Sequence, residues 1–72
     1  VLRFGIEQDA DVRARGVRAD GAGSRFELLT PAGRAEVLLP LPGRHNVMNA
    51  LAAAAMALAA GAGFDAVLAG LA

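Results

Sequence analysis

The chain has 72 residues, with seven arginines balanced by seven acids, no lysine and no cysteine. Zero formal charge gives no net basic field for a nucleic acid, and there is no tryptophan or tyrosine to stack on bases. The missing cysteines exclude a disulfide or thiolate–metal staple, and the missing lysine excludes a P-loop or Schiff-base lysine within these residues.

In chain order, residues 1–4 make a short start, apolar except for Arg3, that reads as the tail of a strand. Residues 5–11, with Glu7, Asp9 and Asp11, read as a polar loop. From residue 12 to 17 apolar and charged positions roughly alternate, the period of a half-exposed strand. Asp20-Gly21-Ala22-Gly23 signals a turn, because glycine accepts positive φ cheaply. Residues 24–30 make a second strand around Phe26 and Leu28, and Pro31-Ala32-Gly33 a second turn. Residues 34–39 make a third, with Ala35, Val37 and Leu39 on one face.

Pro40 and Pro42 end strand pairing, since proline has no N–H for a ladder. A helix is expected from about His45 or Asn46, with Val47, Leu51, Ala54, Ala55 and Leu58 at helical spacing. Its many alanines make a thin rod of high helix propensity. Gly61 and Gly63 stop it, and a second helix with Val67, Leu68 and Leu71 apolar follows from residue 64. The local class is therefore α+β, a three-stranded antiparallel meander followed by two helices, and it reads as a piece of a larger α/β unit. No signal peptide is expected. Residues 50–64 are apolar but too short and alanine-rich for a membrane span, and Asp65 ends them.

Chemistry concentrates in Gly43-Arg44-His45-Asn46-Val47-Met48-Asn49, at the mouth of the first helix. Asn46 and Asn49 lie one turn apart and share a face. Each carboxamide offers a donor and an acceptor, which matches the N6/N7 edge of adenine. A helix N-terminus adds free N–H groups and partial positive charge, and Arg44 a further cation. A plainer reading fits the same residues: Asn46 as an N-cap, Asn49 as a solvated first-turn residue and His45 as a packed or capping histidine.

Other groupings are weaker. Glu7, Asp9 and Asp11 form a carboxylate cluster without the EF-hand pattern. Arg13, Arg15 and Arg18 form a basic strip that a solvated edge strand also explains. The only histidine is His45, so a metal site there needs ligands from elsewhere. There is no GxGxxG, GxSxG, HExxH or Walker A pattern.

With these residues read, the chain resembles the Mur ligases, and among them the MurF type, which adds D-alanyl-D-alanine. The matching strings are Asp11-Val12-Arg13-Ala14, Phe26-Glu27-Leu28, Thr30-Pro31-Ala32-Gly33 and residues 39–55 with their His-Asn-x-x-Asn helix start. The resemblance implies that residues 1–72 are the later part of the central ATP-binding domain. Residues 11–39 would be its small antiparallel sheet and residues 44–72 its helical segment. It implies ATP and Mg²⁺ as cofactors, and activation of a substrate carboxylate as an acyl-phosphate that an amine then attacks. UDP-MurNAc-tripeptide and D-alanyl-D-alanine would be the partners, in cytoplasmic peptidoglycan precursor synthesis. Asn46 and Asn49 inherit nucleotide contact, Asn49 at the adenine, with His45 beside them. P-loop and Mg²⁺ ligands would lie outside these residues, so the segment alone should be inactive. The alternatives are another ligase of this superfamily (MurC-like, folylpolyglutamate or cyanophycin synthesis) or a non-catalytic interaction module of the same fold.

Overall fold

A computed structural model describes residues 3–6 and 10–71. Four strands, β1 (Phe4–Ile6), β2 (Val12–Asp20), β3 (Gly23–Thr30) and β4 (Gly33–Leu39), precede two helices, α1 (Arg44–Ala59) and α2 (Phe64–Leu71). They form one sheet in the order β1-β2-β3-β4. β2, β3 and β4 make the expected antiparallel meander, while β1 adds a parallel strand with Phe4 beside Val12 and Ile6 beside Ala14. Gly5 and Ile6, expected in a loop, are therefore strand residues. Both are buried, and burial beside β2 decides their conformation. Val1, Leu2, Glu7 and Asp9 lie outside the described residues. Asp11 is engaged locally, accepting from the backbone N–H of Arg3 at 3.0 Å.

β2 runs three residues further than its alternation suggested. A register shift between Arg15 and Arg18, with Gly16 at φ 66°, restores pairing as far as Asp20 opposite Gly23. The alternating pattern then sorts the sheet into two faces. Val12, Ala14, Phe26, Leu28, Val37 and Leu39 point inward and meet Val47, Ala50, Leu51, Ala54 and Ala55 of α1. Phe26, Leu28, Leu51, Val12 and Val47 are the largest fully buried side chains. Burial of each stabilises the fold by roughly 1.5–3 kcal/mol.

The outer face is charged. Its register sets Glu27 opposite Glu36 and Arg18 opposite Arg25, like charges that would destabilise the pairing. Neighbouring charges resolve this. Arg15 binds Glu27 at 2.7 Å, Arg25 binds Asp20 at 2.6 Å and Glu36 at 3.0 Å, and Arg18 reaches Glu36 at 3.4 Å. Hydrogen bonds to Asp20 and then Glu36 raise the Arg25 pKa above its ordinary value. The Arg13–Arg15–Arg18 strip is thus no free basic patch: β1 pairs with β2 at Arg13, and Arg15 and Arg18 are engaged by Glu27 and Glu36.

α1 closes with the glycine signal read from the sequence. Gly61 at φ 96° donates to the Leu58 carbonyl, and Ala62 donates back to Ala57, both at 3.0 Å. This is the Schellman pattern. The Phe64 ring then lies 3.3 Å from where a Cβ on Gly33 would stand, seating the start of α2 against the β3–β4 turn. No helix among the described residues is long and apolar enough to cross a membrane.

Candidate nucleotide-binding site

The site is built where β4 hands over to α1. Proline at 40 and 42 stops the ladder, and the backbone swings into the helix through Gly43, which sits at the N-cap with φ 92° and ψ 146°. Only glycine adopts that conformation readily. The helix starts at Arg44, so Asn46 is its third residue and not its N-cap. No side chain caps this end, and no acid stands in the first turn. Its leading N–H groups are left for solvent or a ligand, at the positive end of the helix dipole.

Asn46 turns back instead. Its Nδ2 donates to the Pro42 carbonyl at 2.7 Å, while the Val47 N–H reaches Gly43 at 3.3 Å. One amide hydrogen of Asn46 is thus committed to the loop, leaving its carbonyl oxygen and its second N–H available. Asn49 is exposed, with no side-chain bond described for it. Both asparagines line one open cleft of about 310 Å³, with Leu39, Pro40 and Leu41 on one side and Ala50, Gly70 and Leu71 on the other. That volume is near the lower end of ligand pockets, roughly 300–1,000 Å³. A hollow of about 380 Å³ beside Pro31, Ala32, Leu58, Gly61 and Ala62 is larger, but none of its side chains is a hydrogen-bonding group.

The structure brings together Asn46 and Asn49 and leaves His45 apart: His45 is exposed and does not line the cleft, and neither does Arg44. No carboxylate lines the cleft, and no trio of His, Cys, Asp or Glu among the described residues could hold a metal. The residues lining the cleft therefore do not fit Mg²⁺, and the polar side chains they offer a ligand are the two carboxamides. One residue of the neighbourhood escaped the sequence reading. Ser24 is buried, and its hydroxyl donates to the Leu41 carbonyl at 3.0 Å. The signal was available, since Ser24 is polar in the inward row that continues with Phe26 and Leu28.

The sequence and the fold agree with known proteins. The family model of the Mur ligase middle domain matches residues 1–57. The UDP-N-acetylmuramoyl-tripeptide–D-alanyl-D-alanine ligase of Escherichia coli K12 is 52% identical over 64 residues, 89% of this chain and 14% of that protein. The UDP-N-acetylmuramoyl-L-alanyl-D-glutamate–2,6-diaminopimelate ligase of Bacillus velezensis is 46% identical over 71 residues, 99% of this chain and again 14% of that protein. The crystal structure of MurF from Acinetobacter baumannii superimposes with a TM-score of 0.90 at 40% identity, covering 97% of this chain and 15% of the other. The chain thus spans about one-seventh of the length of the relatives it matches, with the α/β architecture intact over that span. On the matched domain and on identities far above the level that shows only a fold, this chain belongs to the Mur ligase family.

Proposed function

We propose that these residues form one wall of the nucleotide pocket in the central domain of an ATP-dependent ligase that joins D-alanyl-D-alanine to UDP-MurNAc-tripeptide. The observation that carries the reading is the pair Asn46 and Asn49 on one cleft at an uncapped helix N-terminus, in a chain of Mur ligase sequence. Asn49, with its carboxamide unspent, can donate to N7 and accept from N6 of adenine. Asn46 is half spent on Pro42 and contributes chiefly by holding the helix start. In the ligase reaction ATP phosphorylates the substrate carboxylate, the amine attacks the acyl-phosphate carbonyl, and phosphate leaves as the amide forms. The share of this chain is to bind and orient the base. The P-loop, the Mg²⁺ ligands and the peptide-binding residues belong to other parts of such an enzyme, which would work in the cytoplasm on peptidoglycan precursors.

In a full-length ligase carrying these residues, Asn49→Ala is expected to raise the ATP KM about tenfold, the scale of a lost bidentate base contact. The KM for the amine substrate should stay unchanged. An unaltered ATP KM would remove Asn49 from the site. The similarity to a UDP-N-acetylmuramoyl-L-alanyl-D-glutamate–2,6-diaminopimelate ligase supports a second reading, the same chemistry with a different amine and a shorter UDP-MurNAc-peptide. Assaying the full-length ligase with UDP-MurNAc-tripeptide and D-alanyl-D-alanine, and with UDP-MurNAc-L-alanyl-D-glutamate and diaminopimelate, separates the two.

A further inference from the structure

Ser24 is the one buried polar side chain among the described residues, 3% exposed in a row of apolar neighbours. From its place opposite Leu39 it reaches across to donate to the carbonyl of Leu41, two residues further on. Next to it Gly23 is also buried, and a Cβ there would run into the Leu39 carbonyl. The start of β3 therefore lies directly against the exit of β4. On the far side of the loop, Asn46 holds the Pro42 carbonyl. Two adjacent carbonyls are thus gripped from opposite directions, one by the sheet and one by the helix. The residues that lead up to those grips, Leu39, Pro40 and Leu41, line the cleft, and so does Asn46.

We propose that Ser24 is a positioning residue of the cleft, an inference that rests on reading the cleft as a nucleotide wall. It touches no ligand. By fixing the Leu41 carbonyl it sets where the Leu41–Pro42 peptide stands, and through Pro42 it sets the aim of Asn46 and the width of the cleft beside Asn49.

The test compares ATP kinetics and melting temperature in the full-length ligase for Ser24→Ala, Val37→Ala, Asn46→Ala and the Ser24→Ala/Asn46→Ala double variant. Val37 is buried in the same sheet but does not line the cleft and makes no bond to the loop carbonyls, so its truncation reports destabilisation. Ser24→Ala is expected to raise the ATP KM about threefold to tenfold, the scale of one lost hydrogen bond, with kcat at saturating ATP unchanged. Val37→Ala should lower the melting temperature at least as far and leave the KM where it was. The double variant should raise the KM by less than the product of the single effects, because both residues act on one loop. Ser24→Thr keeps the hydroxyl and should bring the KM back towards that of the parent. Two results overturn the proposal: an unchanged KM in Ser24→Ala while Asn49→Ala raises it, or an equal rise in Val37→Ala. If Asn49→Ala leaves the KM unmoved as well, the nucleotide reading itself falls, and Ser24 falls with it.

Discussion

Gly43 shows how much one residue can decide. With φ 92° and ψ 146° it turns the chain from the proline stop into the first turn of α1, and its carbonyl accepts the first helical hydrogen bond. Gly43→Ala has room for its methyl, since nothing lies within 4 Å of that position, so any penalty is conformational. The substitution is expected to destabilise the chain by about 1–3 kcal/mol, read as a lower denaturation midpoint at unchanged slope. A neutral outcome would mean that the loop relaxes into another path. At this scale the sequence was informative about chemistry and silent about partners. Pro40 and Pro42 announced the end of strand pairing, and the Asn46/Asn49 spacing announced a shared face. That Ser24 reaches Leu41 depends on a contact between residues 17 apart, which no local pattern encodes, and that Asn46 spends a hydrogen on Pro42, four residues back, depends on the path the loop takes through Gly43.

Among the elements, α1 and the inner sheet face hold the fold, while the outer face tunes it. Leu51 is fully buried in the core cluster that also holds Phe26, Leu28 and the alanines of its own helix. Leu51→Ala should cost about 2–5 kcal/mol, because thin alanine neighbours collapse poorly into the space left behind. Glu36→Gln acts differently. Glu36 receives both Arg18 and Arg25 on an open surface, and its loss re-exposes the Arg18–Arg25 repulsion. The drop in melting temperature should be small at low salt and vanish near about 1 M salt, where screening acts within roughly 3 Å. Arg25 itself imposes no pH limit in the ordinary range. Its raised pKa means that its contribution is complete below the usual arginine value and fades only as pH climbs through the higher one. Period-two alternation predicted β3 and β4 closely, because one face of each is buried and the other wet. The strand tail read at residues 1–4 stops two residues short of the end of β1 at Ile6, because the conformation of Gly5 and Ile6 follows from the neighbour they pair with.

As a whole, the described chain has a radius of gyration of 10.9 Å, close to the roughly 11 Å of a compact unit of this length. Compactness does not make the cleft a complete site. It offers carboxamides and a helix end but no lysine and no acid, so nothing in it grips a triphosphate or its metal. Calorimetry of the 72-residue chain with ATP is accordingly expected to show no saturable binding tighter than about 1 mM. Saturation at lower concentration would reveal phosphate contacts beyond the cleft described here. The class of the fold was readable from the order of strands, prolines and glycines. The joining of sheet to helix was not, because it runs through main-chain carbonyls that look alike in every sequence.

That last feature bears on how such a protein can change over time. Leu41 is 50% exposed, and what it gives to the joint is its carbonyl, as Pro42 does. The side chain of Leu41 is therefore loosely constrained, while Pro42, whose ring ends the ladder, and Ser24, Gly43 and Asn46, which supply a hydroxyl, a backbone angle and an amide, are not. A population of variants under selection should drift freely at position 41 and stay still at 24, 43 and 46, leaving the loop's tolerance to mutation uncorrelated with its closeness to the ligand.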